Sequence, residues 1–408
     1  MKYLILLGDG MADYPLPDYG DRTPIEIANT TAMDMVAQKG VLGQFCPIPE
    51  GMPPGSDIGN LSMFGYDPRN AFNGRAPIEA ASQGISLAPD EVAFRCNLVS
   101  ILDGVMESFT ANHISTEEAA PIIDSLNEAL ADKYPVRFHS GVSYRHLCIV
   151  KASEAASLEA LNTLACEPPH NITDQEVAPY LPQGDAAVML HEIMTKAREV
   201  LRDHPVNKQR QAAENLPATN IWLWGQGTAP KMRSYAEKFG ISGAVISAVD
   251  LVRGMGVCAG LEVVHVPGAT GWVDTNYEGK VQAGLKALER HDFVFIHLEA
   301  PDETAHQGRA DLKIQAIEDF DRKIVAPSLA WQENHPDSRI LVAPDHFTLI
   351  STKTHAGGPV PFAICGAGVT PNNASCYSEA AAAATGILLQ EGHRLVQRLI
   401  QDKTLNFQ

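Results

Sequence analysis

Six side chains of types that hold divalent metal ions stand at or just after the ends of short apolar runs. Asp9 lies in Leu6-Leu7-Gly8-Asp9-Gly10, a carboxylate between glycines where a strand should end; alone it reads as a turn residue. In Ala300-Pro301-Asp302-Glu303-Thr304-Ala305-His306, proline suits the first turn of a helix, which puts Asp302 and His306 four apart on one face. The competing reading there is a dipole-favouring aspartate with a solvent-facing histidine. Ile340-Leu341-Val342-Ala343 runs into Pro344-Asp345-His346, and Lys353-Thr354-His355 follows closely. Brought into one crevice, these mixed oxygen and nitrogen donors suit two ions better than one, at about four to six ligands per ion. Two such ions side by side suit phosphoryl transfer, one activating the attacking oxygen and the other holding the phosphate.

That chemistry calls for a nucleophile, and Pro53-Pro54-Gly55-Ser56-Asp57-Ile58-Gly59-Asn60-Leu61 offers Ser56 at the start of a helical stretch. A helix N-terminus there favours an anionic oxygen and an attached phosphate; without the metal-ligand pattern Ser56 would read as an N-cap. No GxSxG elbow and no GxxxxGK[ST] loop is present. Gly254-Met255-Gly256-Val257-Cys258-Ala259-Gly260 is one residue too long for GxGxxG and reads as a turn.

Strand-like runs at Tyr3–Leu7, Ile221–Trp224, Ala244–Ser247, Glu262–Val266, Phe293–His297, Ile340–Ala343 and Pro361–Cys365 alternate with helical patterns such as Tyr277–Arg290 and Leu312–Val325. This alternation predicts an α/β fold, a mostly parallel sheet with helices on both faces, with active groups at the carboxyl ends of its strands. Residues 77–185 differ in character, with strands at Val92–Val99 and His146–Val150 and Pro-containing joints. They are expected to form a smaller inserted α+β domain that interrupts a catalytic domain built from 1–76 and 186–408.

The chain has 408 residues, 45% of them apolar, and a formal net charge of −18. A core of ordinary size is within reach, and the acidic balance argues against nucleic acid and against an anionic membrane surface as partners. It leaves a small anionic substrate open, because a local field can oppose the global charge. The seven scattered cysteines form no CxxC pair, which suggests reduced thiols in a cytoplasmic protein. The early apolar run Tyr3–Leu7 is far too short to span a membrane.

Gly8-Asp9-Gly10, Pro54-Gly55-Ser56-Asp57-Ile58-Gly59-Asn60-Leu61-Ser62, Gly65-Tyr66-Asp67-Pro68, Ala300 to His306, Pro344-Asp345-His346 and Lys353-Thr354-His355 together resemble the archaeal-type cofactor-independent phosphoglycerate mutases of the alkaline phosphatase superfamily. The resemblance runs nearly end to end and includes Gly74-Arg75-Ala76-Pro77-Ile78-Glu79-Ala80 and Ser143-Tyr144-Arg145-His146. It implies an alkaline-phosphatase-like core and interconversion of 3-phosphoglycerate and 2-phosphoglycerate without 2,3-bisphosphoglycerate. It implies two divalent ions, Mn2+ or Mg2+ with Zn2+ or Co2+ also open. Asp9, Ser56, Asp345 and His346 would hold one, and Asp302, His306 and His355 the other. Ser56 would become phosphoserine, and the insert would close over the sugar acid. Arg75, His113, Arg145 and Lys231 are candidates for its phosphate and carboxylate, although each reads equally well as a surface charge. Two departures stand out: Phe347-Thr348-Leu349, where a small residue and a proline are expected around the threonine, and Gly59, where alanine is expected. A homoserine kinase-like phosphotransferase of the same family and a metal-dependent phosphatase are the alternatives, and the sequence leaves the oligomeric state open.

Overall fold

The structure, a computed structural model, describes residues 1–407. In chain order the strands are β1 (Lys2–Gly8), β2 (Val41–Phe45), β3 (Glu91–Leu102), β4 (Val105–Ser108), β5 (Val136–His139), β6 (Arg145–Lys151), β7 (Asn220–Gly227) and β8 (Gly243–Ile246). They continue with β9 (Glu262–Val263), β10 (Phe293–Leu298), β11 (Ser338–Ala343), β12 (Phe347–Leu349), β13 (Thr354–Ala356), β14 (Val360–Gly366) and β15 (Leu388–Leu389). The chain folds as two compact units, Met1–Phe72 with Lys231–Gln408, and Asn73–Pro230.

The first unit carries a sheet ordered β15-β2-β14-β11-β1-β10-β8-β9. The pairs β11/β1, β1/β10, β10/β8 and β8/β9 are parallel, and β14 runs antiparallel to both its neighbours. The fold class is the expected α/β one. β1, β10 and β11 are buried at almost every residue, which is why they read as continuous apolar runs rather than alternating ones. Leu4, Leu6, Val294, Ile296, Ile340 and Val342 face one core with helices such as Tyr277–Ala287 and Ala310–Phe320. On the opposite face Phe295 stacks on Phe64, which closes the helix Ser56–Met63, with ring centroids 4.4 Å apart.

The second unit is an antiparallel sheet in which β3 pairs with β4, β6 and β7, and β6 with β5. Helices Thr116–Leu130 and Ala187–Arg202 supply its core with Ile122, Leu126, Leu190, Ile193 and Leu201. Two expectations need correction. The insert does not end at 185 but continues to Pro230, because the apolar face of Ala187–Arg202 is buried in the insert's core and β7 completes its sheet. For the same reason Ile221–Trp224 is an antiparallel strand of the insert, not part of the parallel sheet. An apolar run announces a strand but not its partner. All seven cysteines are free, and among the described residues no helix is long and apolar enough to cross a membrane.

Candidate metal centre and nucleophile

Strand order brings the site together. β1 lies between β10 and β11 in the sheet, so the residues that follow these three strands leave from the same edge. Asp9 follows β1, Asp345 and His346 follow β11, and Asp302 sits in the helix Ala300–His306 that begins just after β10. That helix has proline in its first turn, and His306 Nε2 lies 3.3 Å from Asp302 Oδ2, as the spacing requires. His355 is carried by the hairpin β12–β13, paired across from Thr348.

The donors face one another. His306 Nδ1 is 2.9 Å from the Lys353 carbonyl oxygen, so Nδ1 carries a proton and Nε2 is the ring atom turned toward Asp302 and His355. That Nε2 lies 2.9 Å from His355 Nε2, which is itself 3.4 Å from Asp302 Oδ1. His346 Nδ1 donates toward the Phe347 carbonyl at 3.2 Å, leaving its Nε2 lone pair 3.3 Å from Asp9 Oδ1 and 3.5 Å from Asp345 Oδ2. Ser56 Oγ stands 3.1 Å from the same nitrogen. Ser56 is not an N-cap: Gly55 holds that position, and Ser56 is the first helical residue.

Three carboxylates are packed here with almost no exposure: Asp9 2%, Asp302 5% and Asp345 0%. Burial, then the neighbouring Asp345, Asp302 and Glu299 charges, push the Asp9 carboxyl well up; burial also raises Asp345. Burial would raise Asp302 too, but hydrogen bonds from His306 and His355 outweigh it and hold that carboxyl well down. Buried like charges at this spacing are strongly unfavourable unless cations neutralise them. Asp9 Oδ1 is buried with no hydrogen-bond partner, and the Nε2 atoms of His346, His306 and His355 are turned toward it and toward Asp302. This donor set fits divalent cations. In each of two overlapping clusters, Asp9/Asp345/His346 and Asp302/His346/His355, the three donor atoms lie within 4.8 Å of one another.

The family model for 2,3-bisphosphoglycerate-independent phosphoglycerate mutase matches residues 37–207. A protein of that name from Methanothrix thermoacetophila is 47% identical over 98% of this chain and 100% of its own. The chain belongs to the 2,3-bisphosphoglycerate-independent phosphoglycerate mutases. A probable member from Geobacter sulfurreducens is 46% identical over 98% of this chain and all of its own. Among solved structures, a Pyrococcus horikoshii protein superposes with a TM-score of 0.81 at 28% identity, covering 100% of this chain and 99% of that one. A cofactor-independent phosphoglycerate mutase from Thermoplasma acidophilum gives 0.69 at 25% identity, covering 99% and 100%.

Both departures from the family pattern lie beside the site. Thr348 Oγ1 donates to Asp302 Oδ1 at 2.5 Å, and the Phe347–Leu349 strand around it holds His355 opposite. Gly59 lies against Asp345: an added Cβ would meet the Asp345 carbonyl oxygen at 2.5 Å and its Cβ at 3.0 Å. Alanine would gain about 1 kcal/mol of helix propensity, but overpacking costs about 1–3 kcal/mol, and here the obstacle is backbone. Gly59→Ala is therefore expected to lower the melting temperature and, by displacing Asp345, the mutase activity. A variant that melts and turns over like the parent would show that the Asp345 segment gives way freely.

Sequence reading gave no role to three other residues. Asn60 Nδ2 donates to Asp345 Oδ2 at 2.6 Å and to the Ser56 carbonyl at 3.0 Å, tying the Ser56 helix to Asp345. Gly10 N–H donates to Asp345 Oδ1 at 3.1 Å. Its φ of 56° lies in the left-handed region that glycine tolerates, and any Cβ there would meet Thr348 Oγ1 at 2.3 Å. His297 Nε2 reaches Asp9 Oδ2 at 2.9 Å, and the only signal for it was a histidine inside the otherwise apolar run Phe293–Leu298.

Of the substrate candidates, Arg75, His113 and Arg145 belong to the second unit and Lys231 to the first. In the insert, Arg75 Nε lies 3.8 Å and Arg95 Nε 3.0 Å from opposite oxygens of Glu79. The Arg95 guanidinium lies 4.2 Å over the Trp224 ring. Burial lowers the Arg95 pKa, against the pull of Glu79, and the Arg75 and Arg145 charges add to the lowering. Arg75 and Arg145 thus share one basic neighbourhood with Arg95, a residue the motifs did not single out. His113 is exposed and ends the left-handed run Ala111, Asn112, His113. Lys231 is exposed at the start of the first unit's returning segment.

Proposed function

We propose that this chain interconverts 3-phosphoglycerate and 2-phosphoglycerate by passing the phosphoryl group through Ser56. The observation that carries the reading is Ser56 Oγ, 3.1 Å from the His346 nitrogen that also faces Asp9 and Asp345. A primary hydroxyl has no other evident reason to enter a buried cluster of carboxylates and imidazoles. Ser56 Oγ attacks phosphorus, and the bond to the 3-oxygen of glycerate breaks as the new one forms. The departing oxygen takes the proton that serine gives up. The 2-hydroxyl of the reoriented glycerate then attacks the phosphoserine, and its proton returns to Ser56.

Asp9, Asp345 and His346 would hold one divalent ion with Ser56, and Asp302, His306 and His355 a second. Bound there, such ions supply charge neutralisation of the phosphate and of the attacking oxygen. Uncatalysed phosphate-monoester cleavage is slow enough that enzymes accelerate it up to about 10²¹-fold, which is in proportion to covalent catalysis joined to cations. The chain's own contribution is orientation: Asn60 links the Ser56 turn to Asp345, and Thr348 fixes Asp302. Arg75, Arg145, His113 and Lys231 are the proposed contacts for the substrate's anionic groups.

The test is a mutase assay without 2,3-bisphosphoglycerate, combined with acid quenching on ³²P-labelled 3-phosphoglycerate. Expected are turnover to 2-phosphoglycerate and label recovered on the peptide containing Ser56. Turnover of homoserine with ATP and none of phosphoglycerate, or release of inorganic phosphate as the main product, would overturn the reading.

A further inference from the structure

Ser247 and His297 lie on strands neighbouring Asp9, and neither is explained by the reaction above. Sheet order places β8 beside β10 and β10 beside β1. Ser247 follows β8, His297 is in β10, and Asp9 follows β1, with its N–H still bonded to the Leu298 carbonyl at 2.8 Å. All three are buried: Ser247 2%, His297 0%, Asp9 2%.

Their hydrogen bonds run in one direction. The Val249 N–H donates to Ser247 Oγ at 3.0 Å, which leaves the hydroxyl proton for His297 Nδ1 at 3.2 Å. With Nδ1 accepting, a neutral imidazole carries its proton on Nε2, and that nitrogen is 2.9 Å from Asp9 Oδ2. Backbone on both members is tied from outside: Arg253 Nε donates to the Ser247 carbonyl at 2.8 Å, and Lys280 Nζ to the His297 carbonyl at 3.2 Å. One Asp9 oxygen is therefore engaged by a fixed donor, while the other, Oδ1, has no partner and faces His346 Nε2 at 3.3 Å.

We propose that Ser247 and His297 form a relay that orients Asp9, committing Oδ2 to His297 and leaving Oδ1 as a single, preset ligand oxygen for the ion beside Ser56. His297 is thus a positioning residue, acting through Asp9. The inference rests on the reading of Asp9 as a ligand. Partners that orient ligands are generally worth about 10–100-fold in metal affinity.

The experiment is Mn2+ binding to chelator-stripped protein, read by electron paramagnetic resonance of the free ion, with circular dichroism and thermal melts of each metal-free variant. The variants are His297→Leu, His297→Gln and Ser247→Ala. The parent should bind two Mn2+. His297→Leu should lose about 10–100-fold in affinity for one of them and little for the other. His297→Gln, whose amide nitrogen can reach the Nε2 position, should recover most of the loss, and Ser247→Ala should weaken the same ion. A purely structural role for His297 would lower the metal-free melting temperature without rescue of affinity by glutamine. Folded His297→Leu binding both ions like the parent, or folded His297→Gln binding no better than His297→Leu, overturns the relay alone. If His297→Leu does not fold, parental affinity in Ser247→Ala overturns it. A parent chain that binds no Mn2+ overturns the ligand reading itself.

Discussion

Ser56→Ala is expected to abolish interconversion of the two phosphoglycerates, by about 10⁴-fold or more in kcat, since removing a covalent nucleophile typically costs on this scale. The fold should survive. Ser56 is the first helical residue and caps nothing, and alanine is a good helix former. The Oγ has one hydrogen-bond partner, His346 Nε2, so the stability loss should be about 1 kcal/mol. A coupled mutase assay and a thermal melt separate the two effects. Residual activity within tenfold of the parent would remove Ser56 from the chemistry, whatever the melt shows. No ³²P label should remain on the protein after acid quenching of the variant.

Stripping divalent ions with EDTA should produce the other large effect. Activity should fall at least about 100-fold and return on adding Mn2+. Affinity for phosphoglycerate should collapse at the same time, as should part of the thermal stability, because ions that bind only the folded state stabilise it. The sign follows from the charges. The chain carries −18 overall, and Asp9, Asp302 and Asp345 meet in one buried cluster. Without cations that field repels a multiply anionic substrate; two dications outweigh the three carboxylates and reverse it locally. Calorimetric titration of the metal-free protein with 3-phosphoglycerate reads this directly. Unchanged binding after stripping would count against the entire cluster as the substrate's site.

The candidate ligands and the candidate nucleophile were legible in the sequence because each sits in a short local pattern. Apolar strands ending in Gly8-Asp9-Gly10 or Pro344-Asp345-His346 signal the edge of a sheet, and Pro301 sets the helical spacing of Asp302 and His306. The structure keeps that spacing, with Asp302 and His306 in contact. Local pattern failed where partners are distant. Ile221–Trp224 reads as a strand of the parallel sheet, yet β3 claims it, and helix Ala187–Arg202 belongs to the insert only because its apolar face finds a core there. Gly59 reads as a minor change until the Asp345 carbonyl is placed against it.

By itself, then, the sequence determined which residues could hold cations and carry a phosphoryl group, because strand ends and helix starts are written in periodicity, proline and glycine. Only the tertiary structure decided which of them meet and what orients them. The order β11-β1-β10-β8 sets Asp345, Asp9, His297 and Ser247 side by side although they are separated by up to 336 positions along the chain. Strand order is a property of how whole faces are buried, and no local run of residues encodes it.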